Sequence, residues 1–120
     1  MKTNKFNSFS EFYPFYLSEH KKKLTKIFHA IGSLIVIFII LFSIYNTNYK
    51  YLYFTPIIGY GFAWFSHFFI EKNKPATFKY PLYSFIGDWV MLKDILIGKI
   101  KLWKKYYYLY QLHYFLILVH

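Results

Sequence analysis

His67 and Glu71 stand four residues apart where a long apolar run, Gly59-Tyr-Gly-Phe-Ala-Trp-Phe-Ser-His67, gives way to the lysine-bearing stretch Glu71-Lys-Asn-Lys-Pro-Ala-Thr-Phe78. On an α-helix four residues return to within about 40° of the same face, so the imidazole and the carboxylate point the same way. Such a pair can hold a cation through nitrogen and oxygen, or it can anchor an apolar segment at a membrane interface. Two more histidines bear on the choice: His20, preceded by Glu19, and His29. A single histidine near an interface is more often a polar tip bonded to a backbone carbonyl than a ligand. The constellation therefore carries the argument, and the elements must bring it together.

Those elements follow from composition and hydropathy. The 120 residues are 57% hydrophobic and 27% aromatic, beyond the apolar share of ordinary soluble domains, so a single domain over 1–120 in a lipid solvent is expected. Residues 27–45 carry no formal charge apart from the titratable His29, and residues 51–70 none apart from His67. At about 1.5 Å per residue each run is close to 30 Å long, the depth of a bilayer's hydrocarbon core. The polar connection Asn46-Thr-Asn-Tyr-Lys50 is short. The expected fold class is an all-α membrane protein, an antiparallel transmembrane helical hairpin with additional interfacial or re-entrant helices at about 6–17, 80–97 and 102–120. Residues 80–97 contain Asp88, Lys93 and Asp94, and each charge near the bilayer centre costs about 2.5–3.5 kcal/mol, so this segment is read as lying at the interface. Pro75 and Pro81 break the chain before it.

Charge orients the hairpin. The net charge of +10 arises from fifteen lysines, no arginine and five acids. The lysines flank apolar runs, and arginine, the usual bidentate reader of phosphates and bases, is missing, so membrane lipids and not nucleic acid are the expected partners. Six lysines precede residue 27 and three lie in 71–79, against Lys50 alone in the connection, which puts both hairpin ends on the cytoplasmic side. His20, His29, His67 and Glu71 then share one membrane face. Without cysteine, a metal there must be held by nitrogen and oxygen. One geometric demand remains. A straight helix sets His20 and His29 about 180° apart, so a shared ion requires a bend or break between them, or an ion that only one of them reaches.

Tyr16-Leu-Ser-Glu-His20, His29-Ala-Ile-Gly32, the Gly59–His67 stretch, Glu71–Phe78, Tyr80-Pro81 and Gly87-Asp88 together resemble the 2-hydroxy fatty acid dioxygenase family over roughly residues 8–100. The resemblance implies a small multi-helix membrane protein that uses Fe(II) and O₂ to shorten long-chain 2-hydroxy fatty acids by one carbon in α-oxidation. It implies a bacterial inner-membrane location, or the endoplasmic reticulum in a eukaryote, with the site facing the cytoplasm. His20, His29 and His67 are then the expected iron ligands, with Glu71 a fourth ligand or an orienting group, because imidazole and carboxylate with open positions suit non-haem Fe(II). Glu19 and Asp88 are expected to support the ligands or the chemistry. Lys22, Lys72 or Lys74 would hold the substrate carboxylate at the headgroup level. His113 and His120 fall outside the matched motifs and are read as interfacial. The region between His20 and His29 is rich in lysine where the family pattern carries arginine. The competing reading is a non-enzymatic helical scaffold or anchor that binds no iron. A hydroxylase or desaturase ranks lower, because five histidines are too few for its paired histidine boxes.

Overall fold

The computed structural model describes residues 6–102 and 113–119, and among these every regular element is helical. The expected interfacial helix over 102–120, together with His120, lies largely outside the described residues; 113–119 is helical. Helix α1 (Phe9–Ser18) starts on Ser8, whose hydroxyl accepts from the Glu11 amide at 3.3 Å while the Glu11 carboxylate accepts from the Asn7 amide at 3.1 Å. This reciprocal arrangement satisfies helix-start donors that the ladder leaves open. α1 ends at Ser18 and helix α2 (Lys23–Tyr45) begins after a four-residue break. That break supplies the bend that the His20–His29 pair demands.

α2 contains the aliphatic run and is long and apolar enough to cross a membrane. Three helical stretches follow without interruption: a 3₁₀ turn (Tyr49–Tyr53), helix α3 (Phe54–Phe65) and a π-helical segment (Ser66–Glu71). Together they cover the second apolar run, although α3 alone is too short to count as a span. Ring contacts pair Phe28 with Phe65 and Phe42 with Tyr51, so the two runs lie antiparallel. Small residues let them approach closely: a Cβ added at Gly32 would lie 2.8 Å from the Phe62 Cβ, and one at Gly59 would lie 3.5 Å from Val36.

Helix α4 (Pro81–Leu96) begins with proline at its first position, where the missing amide costs nothing. The two expected interfacial segments, now α1 and α4, pack on each other. Phe12, Tyr16, Ala76 and Met91 form the buried centre, ringed by Phe6, Phe15, Tyr80 and Tyr83. At Gly87 a Cβ would meet the Tyr16 ring at 2.9 Å, so only glycine lets that ring lie flat across α4. The aromatic wealth of the N-terminal segment thus fills a core that holds α1 against α4.

Candidate metal centre

The break between α1 and α2 drops His20 into the interior, where it meets His29 from the second turn of α2 and His67 from the π segment. All three are buried, at 1%, 5% and 2% exposure. The His67 Nε2 lies 3.1 Å from the His20 Nε2 and 3.2 Å from the His29 Nε2.

Each ring's other nitrogen faces an acceptor. His20 Nδ1 lies 2.6 Å from the Tyr16 carbonyl oxygen. His67 Nδ1 lies 2.7 Å from Asn73 Oδ1, and the amide of Asn73 is oriented by its Nδ2, which donates to the Glu19 carbonyl at 3.0 Å and to Glu19 Oε2 at 3.3 Å. His29 Nδ1 lies 3.4 Å from Asp88 Oδ1, the same oxygen that accepts from the Tyr16 hydroxyl. An acceptor at Nδ1 fixes the proton there and leaves the lone pair on Nε2. With the proton on Nδ1 of His20 and of His67, their Nε2 lone pairs turn toward the His29 ring, where Asp88 at 3.4 Å from Nδ1 favours the same tautomer electrostatically. A neutral cluster of this kind repels itself; a cation at its centre turns the repulsion into bonding.

The two spacings from His67 match a shared ion, and the three ligand atoms all lie within 4.8 Å of one another. Two nitrogens bound at about 2.1 Å, with angles from octahedral to tetrahedral, lie roughly 3.0–3.4 Å apart. Burial favours the neutral ring as well. It lowers the His20 pKa well below 6.5, with the neighbouring histidines adding to the effect. Burial, and then Asp88, raise the Tyr16 pKa well above 10, so its phenol stays protonated and keeps donating to Asp88. Among the described residues His20, His29 and His67 form the one group of three or more such side chains disposed to hold a metal.

Glu71, expected as a fourth ligand or an orienting group, turns away from the three rings. Its carboxylate accepts from the Lys21 amide (3.1 Å), the Lys22 amide (3.1 Å) and the Thr25 hydroxyl (2.6 Å), capping the start of α2. The donors are the physical reason: two backbone amides and a hydroxyl at the start of α2 claim the carboxylate, while the His67 ring turns to the other two imidazoles. The group of side chains disposed to hold a metal is the three histidines, without Glu71. Asp88 lies beside His29, and Glu19 stands one step further back, accepting from Asn73. Lys22 donates from Nζ to the Ile70 carbonyl at 3.0 Å; Lys72 and Lys74 are exposed, and none of the three reaches the histidines in a recorded contact.

Asn73, Tyr16 and Thr25 are positioning residues that the sequence reading passed over. Asn73 and Tyr16 lie inside the motifs already singled out, yet nothing in their spacing marks them. Lys72 explains how Asn73 gets there: it takes a left-handed conformation, φ 64°, folding the chain back so that the Asn73 amide bonds to the His67 carbonyl at 2.9 Å.

A buried three-imidazole group on an all-helical frame, with an acceptor beside each outer nitrogen, is a site that could hold a metal ion. The comparison with known families is more specific. The family described as 2-hydroxy-palmitic acid dioxygenase Mpo1-like matches residues 6–100, and the chain belongs to it. No curated protein and no solved structure matches the chain.

Proposed function

We propose that the chain is an Fe(II)-dependent dioxygenase that shortens long-chain 2-hydroxy fatty acids by one carbon, working from a membrane with its site at the cytoplasmic face. The observation that carries this reading is the convergence of three buried imidazoles, His20, His29 and His67, in a member of this family. His20, His29 and His67 would hold the metal. Bound there, Fe(II) would supply O₂ reduction and a place for the two oxygens of an α-hydroxy carboxylate to chelate.

The remaining residues prepare that site. The Tyr16 carbonyl, Asn73 and Asp88 hold the three rings in the metal-ready tautomer. Tyr16 is enclosed between His20, at a ring-centroid distance of 4.1 Å, and α4, so it shuts water out from one side. Asp88 is half-buried and borders a cavity beside His29, which places its carboxylate toward arriving substrate. Lys72 and Lys74, exposed after the π segment, supply positive charge for the substrate carboxylate at headgroup level.

The membrane reading rests on surface chemistry. Leu34, Phe38 and Leu41 of α2 and Ile57 of α3 are exposed at 46%, 65%, 61% and 68%, a larger apolar face than a soluble monomer presents. The antiparallel pair α2–α3 is the proposed transmembrane hairpin, and the lysines at its open end set the proposed orientation. Membranes carrying the protein, supplied with Fe(II), O₂ and a long-chain 2-hydroxy fatty acid, are expected to release the acid one carbon shorter, detected by mass spectrometry. No shortened acid across a range of chain lengths, with metal bound, would instead leave a scaffold.

A further inference from the structure

A cavity of about 220 Å³ lies beside the metal centre between α2, α3 and α4. His29 and Asp88 form one end of its lining, and Thr55 and Pro56 lie at the other. From Ala63 to Thr55, both in the lining, α3 advances eight residues, roughly 12 Å along its axis. The wall between is mainly apolar: Val36 from α2, Phe85 and Trp89 from α4. An apolar depression elsewhere on α3, walled by Phe28, Ile57, Gly61 and Phe65, includes none of the three histidines.

The two ends differ in chemistry. One offers the His29 imidazole and the Asp88 carboxylate; the other lies at the first turn of α3, where the Thr55 hydroxyl is already bonded to the Leu52 carbonyl. The cavity therefore starts at the lysine-flanked end of α2 and runs along the helices away from it, as a lipid tail runs away from its headgroup. A 2-hydroxy acid anchored by its polar end would lie parallel to the surrounding acyl chains and need no inversion to bind. Shape and polarity select an unbranched apolar chain over a ring or a sugar.

Gly59 controls the width of this channel. A Cβ there would stand 3.5 Å from Val36 Cγ2, ordinary contact, so alanine fits without moving the backbone. A longer side chain at that position has to extend into the space between α2 and α3. We propose that the cavity is the acyl-chain channel of the reaction proposed above, on which this inference rests, and that Gly59 sets how much chain it accepts.

The test uses the full chain in lipid nanodiscs and a long-chain 2-hydroxy fatty acid carrying a diazirine near its middle. After illumination, mass spectrometry of peptides is expected to find the label on stretches containing Val36, Tyr60 or Trp89, displaced by excess unlabelled acid. Gly59→Leu is expected to weaken binding about fourfold for each methylene denied a place. Gly59→Ala is expected to have a smaller effect of the same sign. Gly61→Leu, in the other depression where a Cβ meets nothing within 4 Å, is expected to change nothing. Metal content, unaltered in all three variants, reports that they fold. Label confined to Ile57 and Phe65, or labelling unchanged in a metal-replete Gly59→Leu protein, overturns the channel. Turnover that persists in Gly59→Leu with an unaltered chain-length range also overturns the channel and leaves the reaction standing. Cavity labelling that Gly59→Leu removes, in a protein that shortens no acid, supports the channel and removes the reaction.

Discussion

At the residue scale the chemistry is decided by what stands behind each imidazole. A histidine is readied as a ligand when its far nitrogen carries the proton; here a carbonyl and an amide oxygen bond the Nδ1 of His20 and His67, and the Asp88 carboxylate stands 3.4 Å from that of His29. Asn73→Ala or Asp88→Ala is expected to lower metal affinity by about 10- to 100-fold, the usual consequence of removing a ligand's partner. Glu71→Gln is expected to leave affinity within about twofold by the same reasoning, since its carboxylate faces α2. Titration calorimetry on the purified variants separates the two outcomes. The pH dependence of stability follows from His20, whose folded pKa is depressed by burial. The unfolded chain then takes up a proton that the folded metal-free protein refuses. Stability is fully present above the ordinary value of 6.5 and declines as pH falls below it. Thermal unfolding of metal-free protein across that window is expected to show the decline, and His20→Gln to reduce it.

At the element scale the site depends on two local departures from regular helix. The break between α1 and α2 turns His20 toward His29, and the π segment carries His67 inward while swinging Glu71 to the start of α2. Hydrogen bonds from Thr25 and the Lys22 and Lys21 amides hold that carboxylate ionised: burial alone would raise the Glu71 pKa, but these donors lower it. The close approach of α1 to α4 is the third requirement. Gly87→Ala is expected to drive the Tyr16 ring off α4, costing about 1–3 kcal/mol by overpacking and loosening Asp88 behind His29. Chemical denaturation measures the first effect and metal affinity the second. The sequence foretold part of this. Apolar runs and lysine flanks marked α2 and the antiparallel course of α3, and His20, His29 and His67 stood out by type. The geometry of nine residues on a straight helix showed that a break was needed, though not where. The fate of Glu71 was unreadable, because its spacing from His67 says nothing of the Lys21 and Lys22 amides and the Thr25 hydroxyl that claim its carboxylate. Asn73 was hidden for a related reason: it reaches His67 only because Lys72 adopts a left-handed conformation, which a lysine rarely signals.

At the scale of the whole molecule, three roles are divided among the helices. α2 and α3 present exposed apolar side chains over most of their length and suit a lipid surround. α1 and α4 build an aromatic core that fixes the supports of the histidines. The metal group lies where both pairs meet, at the lysine-rich end, and an apolar cavity leads away from it between α2, α3 and α4. Under the proposed function, that layout would let the polar end of a substrate face the histidine group and the lysines while its apolar end lies along the cavity. It also makes metal binding the property on which every functional statement depends. The decisive measurement is elemental analysis of the purified full chain after loading with Fe(II), beside His20→Ala, His29→Ala, His67→Ala and His113→Ala. About one iron per chain is predicted for the parent and for His113→Ala, with little or none in the other three. Equal iron in all five proteins, or none in any, would contradict the three-histidine centre.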